Sequence, residues 1–203
     1  MITFYTLFEP LASLLLGYLL GSIPFGLILT RLAGLGDVRK IGSGNIGATN
    51  VLRTGHKGLA AATLVLDAAK GAAAILLAEW LWPDLGLGGI AAIAAFLGHL
   101  YPIWLGFEGG KGVATLIGLV AALLWPAALV VVAVWIAALL LTRYSSVGGM
   151  LGAISAPIAA YWLGRVDLAI LFTGFALLVL WKHRANIARL RQGSEPKVGK
   201  AAD

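Results

Sequence analysis

The chain has 203 residues, of which 60% are hydrophobic and 12% are charged, with a net charge of +6. Soluble domains carry about 45–50% apolar and about 25% charged residues, so this composition excludes an ordinary soluble domain and indicates an integral membrane protein. The absence of cysteine excludes a disulfide, a thiolate metal site and a cysteine nucleophile.

Seven apolar runs are predicted to cross the membrane as helices, because a span needs ~20 apolar residues, or fewer where neighbours shield it. They cover about residues 4–32, 59–82, 87–105, 113–124, 127–141, 147–163 and 168–181. The segment Gly21–Gly26 contains Pro24 and predicts a kink or local unwinding in the first run. Internal repeats are not evident, so residues 1–203 are interpreted as one membrane domain.

The positions of the positive charges predict the orientation. With seven spans and the N-terminus outside, three loops lie in the cytoplasm, at about 34–57, 106–112 and 142–146, together with the basic tail 182–203. Arg165 is then the one cation placed outside. The long apolar runs separate the basic residues, so they indicate membrane topology and not nucleic-acid binding.

The first polar island, Arg39–Arg53, interrupts the apolar pattern without a single acidic residue. Glycines permit unusual backbone conformations, and inward-facing N–H groups with hydroxyls and cations form an anion site. The alternative is a solvated turn between two helices. The candidate residues in this island are Arg39, Gly42, Ser43, Gly44, Asn45, Gly47, Thr49, Asn50 and Arg53.

The second polar island, Gly106–Gly112, contains Gly109, Gly110, Lys111 and Gly112 but does not match a Walker loop. A flexible backbone with one lysine suits a phosphoryl group. The alternative is an interfacial turn with a snorkelling lysine.

Charged residues also occur inside predicted spans, where they are costly and indicate function by default. Asp67 and Lys70 lie three residues apart on one helical face, and a purely structural pair is the alternative. His183 and Asn186 share a face where the last span leaves the membrane, and His99 lies near the cytoplasmic end of the third span. The three histidines match no metal-ligand spacing, so no metal is predicted.

Three of these segments resemble, in order, the motifs of the bacterial acyl-phosphate:glycerol-3-phosphate acyltransferases. They are Ser43–Asn50, Gly98-His99 with Gly109–Thr115, and His183–Ile187 with Arg189 and Gly193-Ser-Glu195. Gly21–Gly26 and Asp67–Gly71 also match, so the resemblance covers nearly the whole chain. The first motif is quite specific, the second fairly so, and the third is loose by itself.

The resemblance implies transfer of a fatty acyl group from acyl-phosphate to the 1-hydroxyl of sn-glycerol 3-phosphate. The products are lysophosphatidic acid and phosphate, in the first step of phospholipid biosynthesis. The donor is already activated, so neither a covalent enzyme intermediate nor a cofactor is expected. Catalysis would depend on positioning and on charge stabilisation, and the acyl chain would enter from the bilayer.

The resemblance assigns the first island to glycerol phosphate and the reacting centre, the glycines around Lys111 to acyl-phosphate, and His183 with Asn186 to orienting the acceptor. The proton acceptor stays open between His183, His99 and the donor's own phosphate, with a preference for the phosphate. The expected catalytic residues are Ser43, Arg53, Lys111, His183 and Asn186. Beyond the first island, expected substrate-binding residues are Asp67, Lys70, His99, Gly109, Gly110, Gly112, Thr115, Arg143, Ser145 and Glu195.

Two other functions are alternatives to this one. An acyl-CoA-dependent glycerolipid acyltransferase would carry His-x4-Asp, but the residues five after the histidines are Ala61, Trp104 and Ala188. A transporter of phosphate or its esters would use Asp67 and Lys70, but transporters usually show repeats with paired broken helices. Polar groups gathered at one face favour the enzyme.

Overall fold

The computed structural model describes residues 5–199, and the regular structure in that range is entirely helical. The predicted all-helical class is therefore confirmed there. Phe4, at the start of the first predicted span, and the last four residues of the basic tail lie outside the described residues. The helices are α1 (Tyr5–Gly21), α2 (Phe25–Leu32), α3 (Ala48–Leu52), α4 (Lys57–Leu81), α5 (Gly88–Leu100), α6 (Val113–Leu123), α7 (Trp125–Thr142), α8 (Ser145–Trp162), α9 (Val166–Lys182) and α10 (Arg184–Arg191).

Four helical segments between residues 5 and 199 are long and apolar enough to cross a membrane. They are Leu7–Leu32, Lys57–Leu81, Gly88–Leu105 and Trp125–Thr142. A fifth is added if α9 and α10, which meet at a bend of 56°, count as one broken span. The chain is thus built as a multi-pass membrane protein, while the count of seven spans stays a prediction.

The first span is broken as predicted. Helix α1 ends at Gly21 and α2 begins at Phe25, because Pro24 has no N–H to continue the helical ladder. Two carbonyls at the break are paired by side chains from elsewhere. Lys70 Nζ donates to Ile23 O at 2.7 Å, and Trp104 Nε1 donates to Ser22 O at 2.7 Å.

Small residues bring α1 and α5 into direct backbone contact. Gly17 faces Ala91 and Gly21 faces Ala95, so the two helices run parallel. A Cβ on either glycine would overlap the facing alanine backbone. This is the close approach that small residues allow between membrane helices. Helix α4, which lies between α1 and α5 in the sequence, packs against both of them.

The run from Val113 to Thr142 divides into two helices, as Trp125-Pro126 predicted. Leu124 separates them, with φ −159° and ψ 77°, and Pro126 lies in the first turn of α7, where its missing N–H costs little. Helix α6 packs mainly on α4, whereas α7 packs mainly on α8. The main core lies among α4–α9, and its fully buried side chains include Phe96, Phe172 and Leu116.

The structure differs from the predicted boundaries in the polar segments. Part of the first island is helical, because α3 occupies Ala48–Leu52, and α8 begins at Ser145 instead of 147. The basic tail contains a regular helix, α10, whose Asn186 is buried while Arg184 and Arg191 are exposed. Gly42 and Gly44 have positive φ, but Gly47 has φ −80° and needs no special conformation.

Candidate functional site

The first island is organised by the buried side chain of Asn50. Its Nδ2 shares two hydrogens among three backbone oxygens, Val38 O at 2.8 Å, Ile41 O at 2.9 Å and Asn45 O at 2.8 Å. Its Oδ1 accepts from Ser43 N at 3.0 Å and lies 3.3 Å from Ser43 Oγ. One carboxamide therefore fixes the backbone of the loop, and Ser43 is presented at the exposed surface.

The cations of this island differ in how far they are already neutralised. Arg39 is paired with Asp37, with Nη2 and Oδ2 2.6 Å apart, and this bonding lowers the pKa of Asp37 below its usual range. Arg53 donates to Asn50 Oδ1 at 3.3 Å and forms no salt bridge among the described residues. Arg53 therefore keeps its positive charge for another partner. Asp37 lies just outside the predicted island and was not predicted as part of the site.

A side-chain hydrogen bond joins the first island to the start of α8. Thr49 Oγ1 and Ser145 Oγ lie 2.7 Å apart. Glycine allows a second close contact, since a Cβ on Gly26 would overlap Ile46 O. The island is therefore fastened to α2 and α8, and two predicted site residues meet. Arg143 lies just before α8 in the left-handed region, with φ 63°, and its side chain is exposed.

The second island is held against the end of α5 by backbone hydrogen bonds. Gly109 N donates to Leu100 O at 3.2 Å, and Gly110 N donates to His99 O at 3.0 Å. A Cβ on Gly110 would overlap the imidazole of His99, and one on Gly112 would approach the Phe96 ring to 2.7 Å. The glycines are needed here for space, and Gly112 also for its φ of 90°.

Lys111 leads from the second island to the third motif. Its Nζ donates to Asn186 Oδ1 at 2.5 Å, and Asn186 Nδ2 donates to Glu195 Oε1 at 2.6 Å. Glu195 also accepts from Ser146 Oγ at 2.7 Å and from Arg189 Nε at 2.7 Å. Lys111 and Asn186, which are 75 positions apart, thus belong to one side-chain hydrogen-bond network together with Glu195.

The charges in this side-chain network favour the binding of an anion near Lys111. Burial lowers the pKa of Lys111 to about 8, with Arg189, Arg53 and Lys182 adding to the lowering and Glu195 opposing it. Burial alone would raise the pKa of Glu195, but hydrogen bonds from Ser146, Asn186 and Arg189 lower it below its usual value. Glu195 is thus ionised at neutral pH. Its single negative charge does not balance the positive charges of Lys111 and the cations around it.

His183 lies at the bend between α9 and α10 and is buried. Its Nδ1 is 2.8 Å from Val179 O. A carbonyl can only accept, so Nδ1 carries the proton and Nε2 is the acceptor of the neutral ring. A Cβ built on Gly149 would lie 3.5 Å from Nε2, so this nitrogen faces the start of α8.

Asp67 and Lys70 form the predicted ion pair inside α4, with Oδ1 and Nζ 2.7 Å apart and both side chains buried. His99 Nδ1 lies 3.8 Å from Asp67 Oδ1, which places the imidazole between this pair and Gly110. The contact of His99 with the Asp67–Lys70 pair was not predicted from the sequence. Thr115 is fully buried in α6, and its Oγ1 has no hydrogen-bond partner among the described residues.

Two further residues were missed. Lys182 donates to Leu100 O at 2.9 Å and lies 4.5 Å from the centre of the Tyr101 ring, so it supports the same carbonyl as Gly109. Ser146 binds Glu195, as described above. Each adjoins a predicted residue, His183 or Ser145, but chain neighbours in a helix point to different faces and gave no signal.

The fold and the polar cluster define a multi-pass membrane protein with a basic, glycine-rich site at one end of its helices. The family described as glycerol-3-phosphate acyltransferase matches residues 11–193. The chain belongs to this family and is an acyltransferase.

Relatives support this assignment over nearly full length. The glycerol-3-phosphate acyltransferase of Brucella anthropi is 58% identical over 189 residues, covering 93% of each chain. That of Rhodopseudomonas palustris strain BisB5 is 57% identical over 194 residues, covering 93% of this chain and 96% of the relative.

Two crystal structures are similar to the whole fold. Both are of PlsY (YgiH), an integral membrane glycerol 3-phosphate acyltransferase. Its glycerol 3-phosphate form superposes with a TM-score of 0.87 at 38% identity, covering 94% of this chain and 96% of the other. Its lysophosphatidic acid form gives 0.85 at 36% identity, covering 94% and 95%.

Proposed function

We propose that this chain transfers a fatty acyl group from acyl-phosphate to the 1-hydroxyl of sn-glycerol 3-phosphate, giving lysophosphatidic acid and inorganic phosphate. The main support is the meeting of the three motif segments at one end of the helices, in a chain of this family. Both proposed substrates are phosphate anions, and the two glycine-rich islands supply backbone donors with Arg53 and Lys111.

We assign the two phosphates to different islands. Arg53, with Ser43 and the exposed loop backbone around it, binds glycerol 3-phosphate. Lys111 binds the phosphate of the donor, aided by the N–H groups of the first turn of α6, which begins at Val113. Arg53 is near enough for its charge to lower the pKa of Lys111, which supports adjacent phosphates.

The other predicted residues receive supporting roles. Asn50 shapes the loop that carries Ser43, and Thr49 with Ser145 fastens that loop to α8. Asp67, Lys70 and His99 form a buried polar cluster that supports Gly110 from below. His183 and Asn186 orient the acceptor. Arg39, Gly42, Gly44, Asn45, Gly47, Gly109, Gly112, Thr115, Arg143 and Glu195 complete the proposed site.

The proposed reaction is a direct transfer. The acceptor hydroxyl oxygen forms an ester bond to the acyl carbon, and the bond from that carbon to the phosphate oxygen breaks. Phosphate departs with the electron pair. Lys111 stabilises the departing charge, so the mixed anhydride needs no covalent enzyme intermediate.

We assign the hydroxyl proton to an oxygen of the donor phosphate. His99 is 3% exposed and lies behind Gly110, which keeps its ring from the surface where Ser43 lies. His183 holds its Nδ1 proton on Val179 O and orients substrate through Nε2. A good leaving group lowers the demand on any base, so a substrate oxygen suffices.

The test uses purified protein in lipid with labelled glycerol 3-phosphate, comparing palmitoyl-phosphate with palmitoyl-CoA. Lysophosphatidic acid should form from the acyl-phosphate alone. It should be lost in Ser43→Ala and Lys111→Ala but kept in Lys57→Ala, which removes an exposed lysine at the start of α4. Product from palmitoyl-CoA alone would contradict the donor. No product, with phosphate crossing proteoliposomes, would favour a transporter.

We further propose seven spans in the bacterial inner membrane, with the N-terminus outside and the site on the cytoplasmic side. The distribution of Lys and Arg supports this orientation. The chain contains no cysteine, so single cysteines can report it cleanly. In intact spheroplasts, an impermeant maleimide should label Asp84→Cys and not Lys57→Cys. The reverse pattern would overturn the orientation.

A further inference from the structure

The segment after α10 turns back onto the connection between α7 and α8. Val198 N donates to Arg143 O at 2.8 Å, and Arg143 Nη2 donates to Val198 O at 3.3 Å. Lys197 Nζ lies 5.4 Å from the centre of the Tyr144 ring. We call residues 194–199 the C-terminal strap. It carries Glu195 inward, where its side chain is only 5% exposed.

Glu195 is fully engaged at this position. Ser146 Oγ and Asn186 Nδ2 both donate to its Oε1, and Arg189 Nε donates to its Oε2. These donors come from α8 and α10. A buried carboxylate held by three donors is stable only while each of them stays in place. The strap, α8 and α10 are therefore joined through one carboxylate.

The chemistry of these groups fixes the orientation of Asn186. A carboxylate can only accept hydrogen bonds, and an ammonium can only donate them. Glu195 must therefore meet the amide nitrogen of Asn186, which leaves the amide oxygen for Lys111. The structure has this arrangement, at 2.6 Å and 2.5 Å. Without the carboxylate, the amide is free to turn its N–H₂ toward the lysine.

We propose that Glu195 is a positioning residue for Lys111, and that the C-terminal strap completes the donor-phosphate site by bringing this carboxylate to Asn186. The inference rests on the proposed function, because it takes Lys111 as the group that binds the donor phosphate. Glu195 itself touches Lys111 only through Asn186, so it acts without contacting substrate.

Glu195 also supplies the opposing charge for this cluster. The cations that act on Lys111 are Arg189, Arg53 and Lys182. His183, at the bend before α10, faces the same lysine, and burial together with the positive charge of Lys111 lowers the pKa of its imidazole. Among the described residues whose charge acts on Lys111, Glu195 is the one that is negative. Its removal therefore disfavours the protonated lysine and lowers the fraction able to bind an anion.

The experiment measures Lys111 directly in the full chain, by competitive acetylation across pH followed by mass spectrometry. Glu195→Gln is compared with wild type and with Lys197→Ala, which alters the same strap but leaves Asn186 untouched. The pKa of Lys111 should fall in Glu195→Gln and stay unchanged in Lys197→Ala. Ser146→Ala, a milder change at the same carboxylate, should shift it in the same direction and keeps the test valid if Glu195→Gln folds poorly.

Kinetics supply the second readout. Loss of one charge-assisted link predicts a fall in kcat/KM for palmitoyl-phosphate of about tenfold in Glu195→Gln. In a Lys111→Arg background, which is expected to stay active, the same change should lower kcat/KM by less than about threefold, because arginine stays protonated without the carboxylate. An unchanged Lys111 pKa, or additive losses, would overturn the inference. A lower pKa of Lys111 in a protein that forms no lysophosphatidic acid would support the positioning role of Glu195 and overturn only the proposed function.

Discussion

The two glycine-rich islands solve the same structural problem in different ways. In Arg39–Arg53, one buried side chain, Asn50, binds the backbone of the loop at several points. In Gly106–Gly112, the backbone itself pairs with the last carbonyls of α5, and the absent side chains leave room for His99. The first island depends on a group that is present, and the second on atoms that are missing.

This difference predicts which substitutions each island resists. A loop built around one carboxamide should fail when that group loses its hydrogen-bonding capacity, even if its size is kept. A loop built by close packing should fail when a single methyl group is added. The following predictions test this contrast, beginning with the largest effect.

Asn50→Leu should have the largest effect. It leaves the carbonyls of Val38, Ile41 and Asn45 without their side-chain donor, at a cost of about 3 kcal/mol or more. Thermal unfolding in detergent and acyltransfer activity should both decline, with activity lower by about 100-fold or more. Thr54→Ala, which removes one local hydroxyl-to-carbonyl bond at Val51, is the control and should lose little. Full activity in Asn50→Leu would contradict the role of this carboxamide.

Gly110→Ala should be the next most damaging change. The added Cβ overlaps the buried His99 ring, which must move away from Asp67 or push the loop outward, at about 1–3 kcal/mol. KM for the donor should rise and stability should fall. Gly58→Ala is the matched control, because a Cβ there meets nothing within 4 Å. Equal behaviour of the two variants would argue against the packing account.

Lys111→Arg should change the pH profile more than the rate at neutral pH. The pKa of Lys111 is lowered to about 8, so the lysine is charged below that pH and loses its proton above it. In the wild type, kcat/KM for acyl-phosphate should therefore be level below about pH 8 and fall about tenfold per unit above it. Arginine stays protonated, so the alkaline fall should disappear. A fall that persists in the variant would assign it to another group.

Asp37→Asn should have the smallest effect. It releases Arg39 from a half-exposed ion pair, and such pairs contribute roughly 0–1 kcal/mol. We expect activity within about threefold of wild type, with a slightly lower KM for glycerol 3-phosphate at low salt and none of this gain at high salt. An Asp37→Asn loss as large as that of Asn50→Leu would show that the ion pair also holds the loop.

Much of the fold could be predicted from apolar run length and Pro position. The break at Pro24 and the division at Trp125-Pro126 follow from local chemistry, and both are present. Helix α3 was missed because it has only five residues, Ala48–Leu52, and three of them, Thr49, Asn50 and Val51, have low helix propensity. Its formation depends on Asn50 binding distant backbone groups, which sequence patterns do not reveal.

The site was predictable in its members but not in its connections. Lys111, Asn186 and Glu195 could each be selected from motifs, whereas their hydrogen-bonded order required the folded strap. In the same way, His99 could be selected, but its position between Asp67 and Gly110 depends on the packing of α4 against α5. Contacts between residues far apart in sequence determine these hydrogen bonds and positions, so the spacing of residues along the chain does not predict them.

The break between α1 and α2 has a consequence for biogenesis. The carbonyls of Ser22 and Ile23 find their donors on Trp104 and Lys70, which are synthesised 82 and 47 residues later. Unpaired carbonyls are costly in hydrocarbon. The first span therefore acquires the full set of hydrogen bonds at its break only after α4 and the loop after α5 have been inserted.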